Sequence, residues 1–140
     1  MKYLFDSSSI IRAIKENKID FLKGNGTLEI ARYELGNILW KDYLLQAKIS
    51  QEQARALMIL IKHALNAMEV YQIISKEEEI LETSVQFKIT FYDASYAYFA
   101  KSKALTLVTE DQHLTKKIVP NIKTLTLDEI DQKHQDDQTP

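Results

Sequence analysis

The sequence predicts an α/β domain built on a central, mostly parallel sheet. Short apolar, β-branched runs alternate with stretches whose apolar residues recur every three or four positions, and hairpin chemistry is scarce. Two acids, Asp6 and Asp111, stand directly after the two most strand-like runs. In parallel α/β sheets ligands sit beyond the carboxyl ends of the strands, so those positions draw attention first. At 140 residues the chain fits one domain with a real core.

Tyr3-Leu4-Phe5 reads as a buried strand, ended by Asp6 and three serines that open a helix through Ile10, Ile11 and Ile14. Gly24-Asn25-Gly26 is the strongest turn signal, and Thr27 to Ile30 follows as a short strand. Ala31 to Ala47 carries a helical pattern through Leu35, Ile38, Leu39 and Tyr43. Ser50 with Gln53 forms a capping box for a helix whose stripe runs through Ala54, Leu57, Ile61, Ala64 and Met68. Met58 and Leu60 widen its apolar coverage, which suits either a core position or a protein-binding face.

Val70 to Ile74 is a β-branched strand. Ser75 with Glu78 predicts a second capping box and a helix to Phe87; Thr90 with Asp93 predicts a third, opening a helix through Lys103. Leu105 to Thr109 is the clearest strand, followed by a short helix to Val119, a break at Pro120-Asn121 and a last strand from Ile122 to Leu127. The domain is expected over residues 1–127. The acidic, polar segment 128–140 reads as a frayed tail.

Composition is that of an ordinary globular chain, with 45% hydrophobic and 27% charged residues. Without cysteines there is no disulfide framework, zinc–thiolate site or cysteine nucleophile, which suits a reducing compartment. No apolar run approaches the roughly 20 residues needed to span a bilayer. An acid at position 6 comes too early for a signal peptide, so a cytoplasmic protein without membrane association is expected. The formal charge is -2, but the segment after Leu127 holds five acids against one base. The remainder is therefore net positive, which permits a phosphate-binding surface.

Taken singly, Asp6, Asp93 and Asp111 read as helix caps and Glu34 as a solvated helix residue. Their settings argue for more. Asp93 lies among Phe91, Tyr92, Ala94 and Tyr96, where a charge needs partners. Glu34 sits near the start of a helix with Asn37 and Lys41 on its own face. Carboxylates brought together repel, so such a site calls for a cation or shifted pKa values; Mg²⁺ or Mn²⁺ are the hard cations that oxygen ligands suit.

These positions resemble the PIN-domain family, and more closely its VapC-like toxin ribonucleases. The resemblance rests on Tyr3-Leu4-Phe5-Asp6-Ser7-Ser8, Tyr33-Glu34-Leu35-Gly36-Asn37-Ile38-Leu39-Trp40, Tyr92-Asp93-Ala94-Ser95-Tyr96-Ala97 and Leu107-Val108-Thr109-Glu110-Asp111-Gln112-His113-Leu114, in that order, and spans Met1 to about Leu127. It implies a three-layer α/β/α fold with an acidic pocket at the carboxyl edge of the sheet. The family's acids fall on Asp6, Glu34, Asp93 and Asp111, and its polar residue two positions before the last acid falls on Thr109. Ser7 and Asn37 are supporting candidates beside them. The resemblance further implies Mg²⁺- or Mn²⁺-dependent hydrolysis of RNA phosphodiester bonds, leaving a 5′-phosphate and a 3′-hydroxyl. It also implies a homodimer and a small antitoxin partner that blocks the pocket.

Two other readings stand beside this one: a housekeeping PIN nuclease of RNA processing or quality control without an antitoxin, and a non-catalytic α/β interaction domain. A response-regulator-like module is disfavoured because Glu34 and Asp93 fall on helices. His63, His113 and His134 form no metal-binding pair at helical spacing, and Gly-x-Ser-x-Gly and phosphate-binding glycine loops are both missing. Tyr92, Tyr96 and Phe99 read as core.

Overall fold

The computed structural model describes residues 1–138. Its elements are β1 (Tyr3–Phe5), α1 (Ser7–Lys15), a 3₁₀ turn (Ile19–Phe21), β2 (Gly26–Leu28), α2 (Ile30–Trp40) continued by a π turn (Lys41–Leu45), α3 (Gln51–Asn66), β3 (Glu69–Tyr71), α4 (Glu77–Phe87), α5 (Phe91–Ser102), β4 (Thr106–Val108), α6 (Gln112–Ile118), β5 (Thr124–Leu125) and α7 (Leu127–Gln138). The five strands form one sheet in the order β3-β2-β1-β4-β5, and every pairing is parallel.

Alternation along the strands builds three layers. Phe5 and Val108 face one core with Ile10, Leu35, Ile61 and Leu127. Their chain neighbours Leu4 and Leu107 face the other, with Ile80, Tyr96, Phe99 and Ile118. Helices α1, α2, α3 and α7 thus cover one face of the sheet, and α4, α5 and α6 the other. The α/β/α architecture with a parallel sheet is as the sequence predicts.

The turn before β2 is fixed by Gly24 at φ 74° and by Asn25, whose Oδ1 accepts from the amides of Lys2 and Tyr3 at 3.2 Å each. Gly26 itself belongs to β2, paired with Leu4 of β1 and Glu69 of β3, and a Cβ there would meet Leu4 and Tyr71 side-chain atoms at 3.1 Å. The strand therefore begins one residue earlier than expected and stops at Leu28, where the chain turns into α2.

Four expectations need correction. The Ser75–Glu78 capping box does not form: the amide of Lys76 bonds the Ile73 carbonyl, a tight turn that rolls Ser75 to φ 71°. Helix α4 starts instead on Glu77, Glu78 and Glu79, whose charges complement the helix N-terminus. Strand β3 ends at Tyr71, and β5 keeps only Thr124 and Leu125, since the amide of Ile122 is taken by the Ile118 carbonyl. The α-helical part of α2 ends at Trp40, short of Ala47.

The fourth correction concerns the acidic end. Residues 127–138 form α7, with Leu127 and Ile130 buried in the core; Thr139 and Pro140, the rest of the expected tail, lie outside the described residues. Thr126 and Glu129 cap that helix reciprocally. The capping box of α3 forms as expected, and Thr90 caps α5 through the amide of Asp93. On α3, Ile61, Ala64 and Leu65 are buried, while Met58, Ile59 and Leu60 reach solvent. Among the described residues no helix is long and apolar enough to cross a membrane.

Candidate active site

Strand order reverses direction between β1 and β4, the point where open α/β sheets leave a crevice at their carboxyl edge. Asp6 follows β1 there, and Thr109, Glu110 and Asp111 follow β4. The amide of Asp6 still bonds the Val108 carbonyl at 3.1 Å, so the two chain exits leave the sheet side by side.

Serine and threonine hydroxyls join them. Ser8 donates to Asp6 Oδ1 at 2.7 Å and accepts from the amide of Glu110 at 3.1 Å. The hydroxyl of Thr109 accepts from the amide of Asp111 at 3.0 Å and lies near enough to the Asp6 carboxyl to pull it downward. Ser9 Oγ lies 2.8 Å from the Val108 carbonyl, 3.0 Å from the Asp6 carbonyl and 3.1 Å from Asp6 Oδ1, three acceptors for one proton. Asp6 and Asp111 also cap α1 and α6, accepting from the amides of Ser9 and Leu114. Capping and convergence are therefore compatible at both positions.

Glu34 and Asp93 reach the same edge from α2 and α5. Glu34 accepts from the Tyr96 hydroxyl at 2.7 Å, and the Ser7 hydroxyl nearby also favours its charged form. Its carboxyl is held above the usual range by burial first, then by the charges of Asp6 and Asp93. Asp93 is likewise raised, by burial and then by Asp111, with Thr90 and Lys117 pulling the other way. Asp6, only 7% exposed, is raised by burial against the opposing hydrogen bonds of Thr109, Ser8 and Ser9. The four acids thus form one electrostatic series, Asp6 to Glu34 to Asp93 to Asp111.

A cavity of about 150 Å³ lies at the Asp93–Asp111 end, lined also by Thr90, His113, Lys88 and Lys117. Lys117 donates to the Lys88 carbonyl at 3.0 Å, which fixes one cation beside the two acids. A phosphate group suits such a lining, with positive charge on its flank and carboxylates at its end.

The donor set is all hard oxygen, and three of its members carry carboxyls raised first by burial, with neighbouring acids adding at Glu34 and Asp93, a set that fits a divalent cation. Among the described residues no three acidic or histidine side chains close into a ready-made cage.

Of the sequence-predicted supporting residues, Ser7 lies close enough to Glu34, and Thr109 to Asp6, to lower the carboxyl beside it. Asn37 is exposed on α2, one turn beyond Glu34, and joins none of these hydrogen bonds. Sequence reasoning passed over Ser9 and assigned Tyr96 to the core alone. Tyr96 is buried as expected, but its hydroxyl is the donor that holds Glu34. A tyrosine three residues after an acid, on the same face of a helix, was the available signal.

Comparison with known proteins places this geometry in context. The chain is 33% identical over 129 residues to exonuclease VapC9 of Pyrobaculum aerophilum, covering 91% of this chain and 93% of that protein. It is 25% identical over 91 residues to ribonuclease VapC3 of the same organism, covering 65% of this chain and 69% of the relative. Among solved structures it resembles PAE2754 from Pyrobaculum aerophilum with a TM-score of 0.80 and 28% identity over 97% of this chain and 98% of the other. The fold also matches VapBC2 from Rickettsia felis, solved bound to a DNA fragment from its promoter, with a TM-score of 0.62 and 18% identity over 90% and 98% of the two chains. No family model matches the sequence.

Proposed function

Because the chain belongs to the VapC family of PIN-domain nucleases, we propose that it is a divalent-metal-dependent ribonuclease and the toxin of a type II toxin–antitoxin pair, with Asp6, Glu34, Asp93 and Asp111 as its catalytic carboxylates. The observation that carries this reading is the electrostatic series of these acids at the strand-order reversal. RNA as substrate is supported by the ribonuclease VapC3 relative, and an antitoxin partner by the likeness to a VapBC assembly. A homodimer is the expected state.

Asp6 and Asp93 would hold the metal most directly, with Glu34 and Asp111 holding its water ligands. When bound, Mg²⁺ or Mn²⁺ supplies charge neutralisation at the phosphate and a more acidic water. The chain's own residues do the positioning. Ser8 and the Ser9 amide hold the Asp6 carboxyl, with Thr109 beside it, and Tyr96 holds Glu34, with Ser7 nearby. Burial of Asp6 keeps bulk water from its carboxyl, which strengthens its pull on a cation. Lys117, Lys88 and His113 flank the cavity where a phosphate would lie beside Asp93 and Asp111.

The test is cleavage of end-labelled single-stranded RNA by the purified chain with Mg²⁺, and with a chelator in excess. Cleavage that needs the metal supports the reading, and cleavage that survives the chelator rejects it. Growth arrest on expression, relieved by the product of the adjacent gene, tests the toxin assignment separately.

A further inference from the structure

Beside the carboxylates lies a second cavity, of about 390 Å³, that none of the catalytic assignments uses. Its floor is apolar, formed by Leu28, Ile73 and Phe91 with the ring of Tyr71. Tyr71 is already stacked on Phe99, with centroids 5.5 Å apart and planes 10° from parallel. At the mouth stand Tyr33 and Tyr92, large rings that are 73% and 60% exposed. Such exposure is costly for an aromatic side chain unless something covers it.

The position of these rings ties the cavity to the acids. Tyr33 immediately precedes Glu34 on α2, and Tyr92 immediately precedes Asp93 on α5. Successive helix residues diverge by about 100°, so each helix turns its acid one way and its tyrosine another. Ser95, also lining the cavity, precedes Tyr96, whose hydroxyl donates to Glu34 at 2.7 Å.

We propose that this cavity is a nucleobase site, in which Tyr33 and Tyr92 stack on an unpaired base of single-stranded RNA next to the phosphate that is cut. The inference rests on the ribonuclease reading for its substrate class. No lysine or arginine lines the cavity, and Glu29, whose Oε1 is paired with Arg32 at 3.0 Å, leaves its second carboxylate oxygen to accept from a base. A carboxylate oxygen accepts hydrogen bonds, which favours a base edge carrying an exocyclic amino group (adenine, cytosine or guanine) over uracil, which has none. Gln72 and the acceptor lone pairs of Ser95, whose proton goes to the Phe91 carbonyl at 2.9 Å, complete the polar lining. The volume is that of a small-molecule site, which suits one ring system better than the face of a partner helix.

The probe is a single-stranded oligoribonucleotide carrying 2-aminopurine, whose fluorescence falls when the base stacks. It is titrated into Asp93→Asn protein with Mg²⁺ so that the strand stays intact. We expect quenching, weakened about 5- to 100-fold in Kd by adding Tyr33→Ala and Tyr92→Ala and regained with the two phenylalanine substitutions, as base–aromatic stacking implies. Circular dichroism of each variant checks the fold. In the otherwise native chain the two alanines should raise KM for RNA by a similar factor while kcat moves little. No quenching, or quenching that the alanines leave unchanged, overturns the proposal. Alanines that alter only the oligomeric state overturn it too, and assign the cavity to a protein interface. A native chain that cleaves no RNA, but whose Asp93→Asn form shows ring-dependent quenching, refutes the ribonuclease reading and leaves the base site standing.

Discussion

Tyr96 and Glu34, 62 residues apart in sequence, meet through a 2.7 Å hydrogen bond in which the tyrosine hydroxyl donates to the carboxylate. The direction is fixed by burial and by the Glu34 charge, which together hold the phenol far above its ordinary range, so the proton stays on the tyrosine. The bond in turn lowers the Glu34 carboxyl against the burial and the neighbouring acids that raise it.

Tyr96→Phe removes only that donor. Loss of a hydrogen bond to a charged group costs about 1–3 kcal/mol, so a lower urea midpoint is expected with an unchanged slope. Because the bond pulls the Glu34 carboxyl down, its loss moves the acid limb of the activity–pH profile to higher pH. An unshifted profile in the phenylalanine variant would remove Tyr96 from the site and return it to the core alone.

Stability of the metal-free chain should fall as pH rises through the weakly acidic range. Asp6, Glu34 and Asp93 all have folded-state carboxyls raised above their ordinary values, by burial first. The folded state therefore binds their protons more tightly than the unfolded chain does. Their contribution is complete below the ordinary carboxylate range and is lost as pH climbs through the raised values. Glu16 and Asp128, both lowered by Arg12, act in the opposite sense and only at lower pH. Melting temperatures with and without Mg²⁺ check this: the increment from the metal should grow from mildly acidic to neutral pH. An equal increment at both would contradict the account.

Asp6→Asn tests the same repulsion without metal. Asparagine remains a good helix cap and keeps an acceptor for the amide of Ser9. With the buried charge gone, the metal-free variant should melt higher than the parent at neutral pH, by about 3 °C for each kcal/mol relieved in a domain of this size. A lower melting temperature would mean that the Asp6 carboxylate is held mainly for structure.

Arg12 joins three acids: Glu16, Glu110 at 2.8 Å and Asp128 at 2.7 Å. Glu110 is the least exposed of them at 23%, and its other oxygen accepts from the amide of Leu127. Arg12→Met should therefore loosen both the Glu110 loop and the start of α7 and lower the urea midpoint. Asp128→Asn, at a side chain 69% exposed, should leave the midpoint unchanged, because solvent screens such a pair. Reversal of that order would mean that α7 is held by its charge pair and not by Leu127 and Ile130.

The features legible in the sequence are those set by local chemistry. Alternating apolar runs and helical stripes gave the parallel sheet and its covering helices; Ser50–Gln53 and Thr90 gave two helix starts; Asp6 and Asp111 were visible as acids at strand ends. What escaped was decided by long-range packing or by a competing local signal. α7 was hidden by its acidic composition, although Thr126–Glu129 and the pair Leu127–Ile130 carried its cap and buried stripe. Ser75–Glu78 had the spacing of a capping box, but the Ile73–Lys76 turn won. The Tyr96–Glu34 bond joins two helices whose approach is set by the sheet between them, and no local pattern reports that distance.

The central claim is that Asp6, Glu34, Asp93 and Asp111 act together as a metal-dependent nuclease site. Single-turnover cleavage of labelled single-stranded RNA across a Mg²⁺ titration, by the parent chain and by Asp93→Asn, tests it most directly. The account predicts Mg²⁺-dependent cleavage by the parent and a loss of about 100-fold or more in the variant at every metal concentration, as removal of a residue acting at the reacting charge typically produces. Equal rates for the two proteins, with the variant folded, would contradict it.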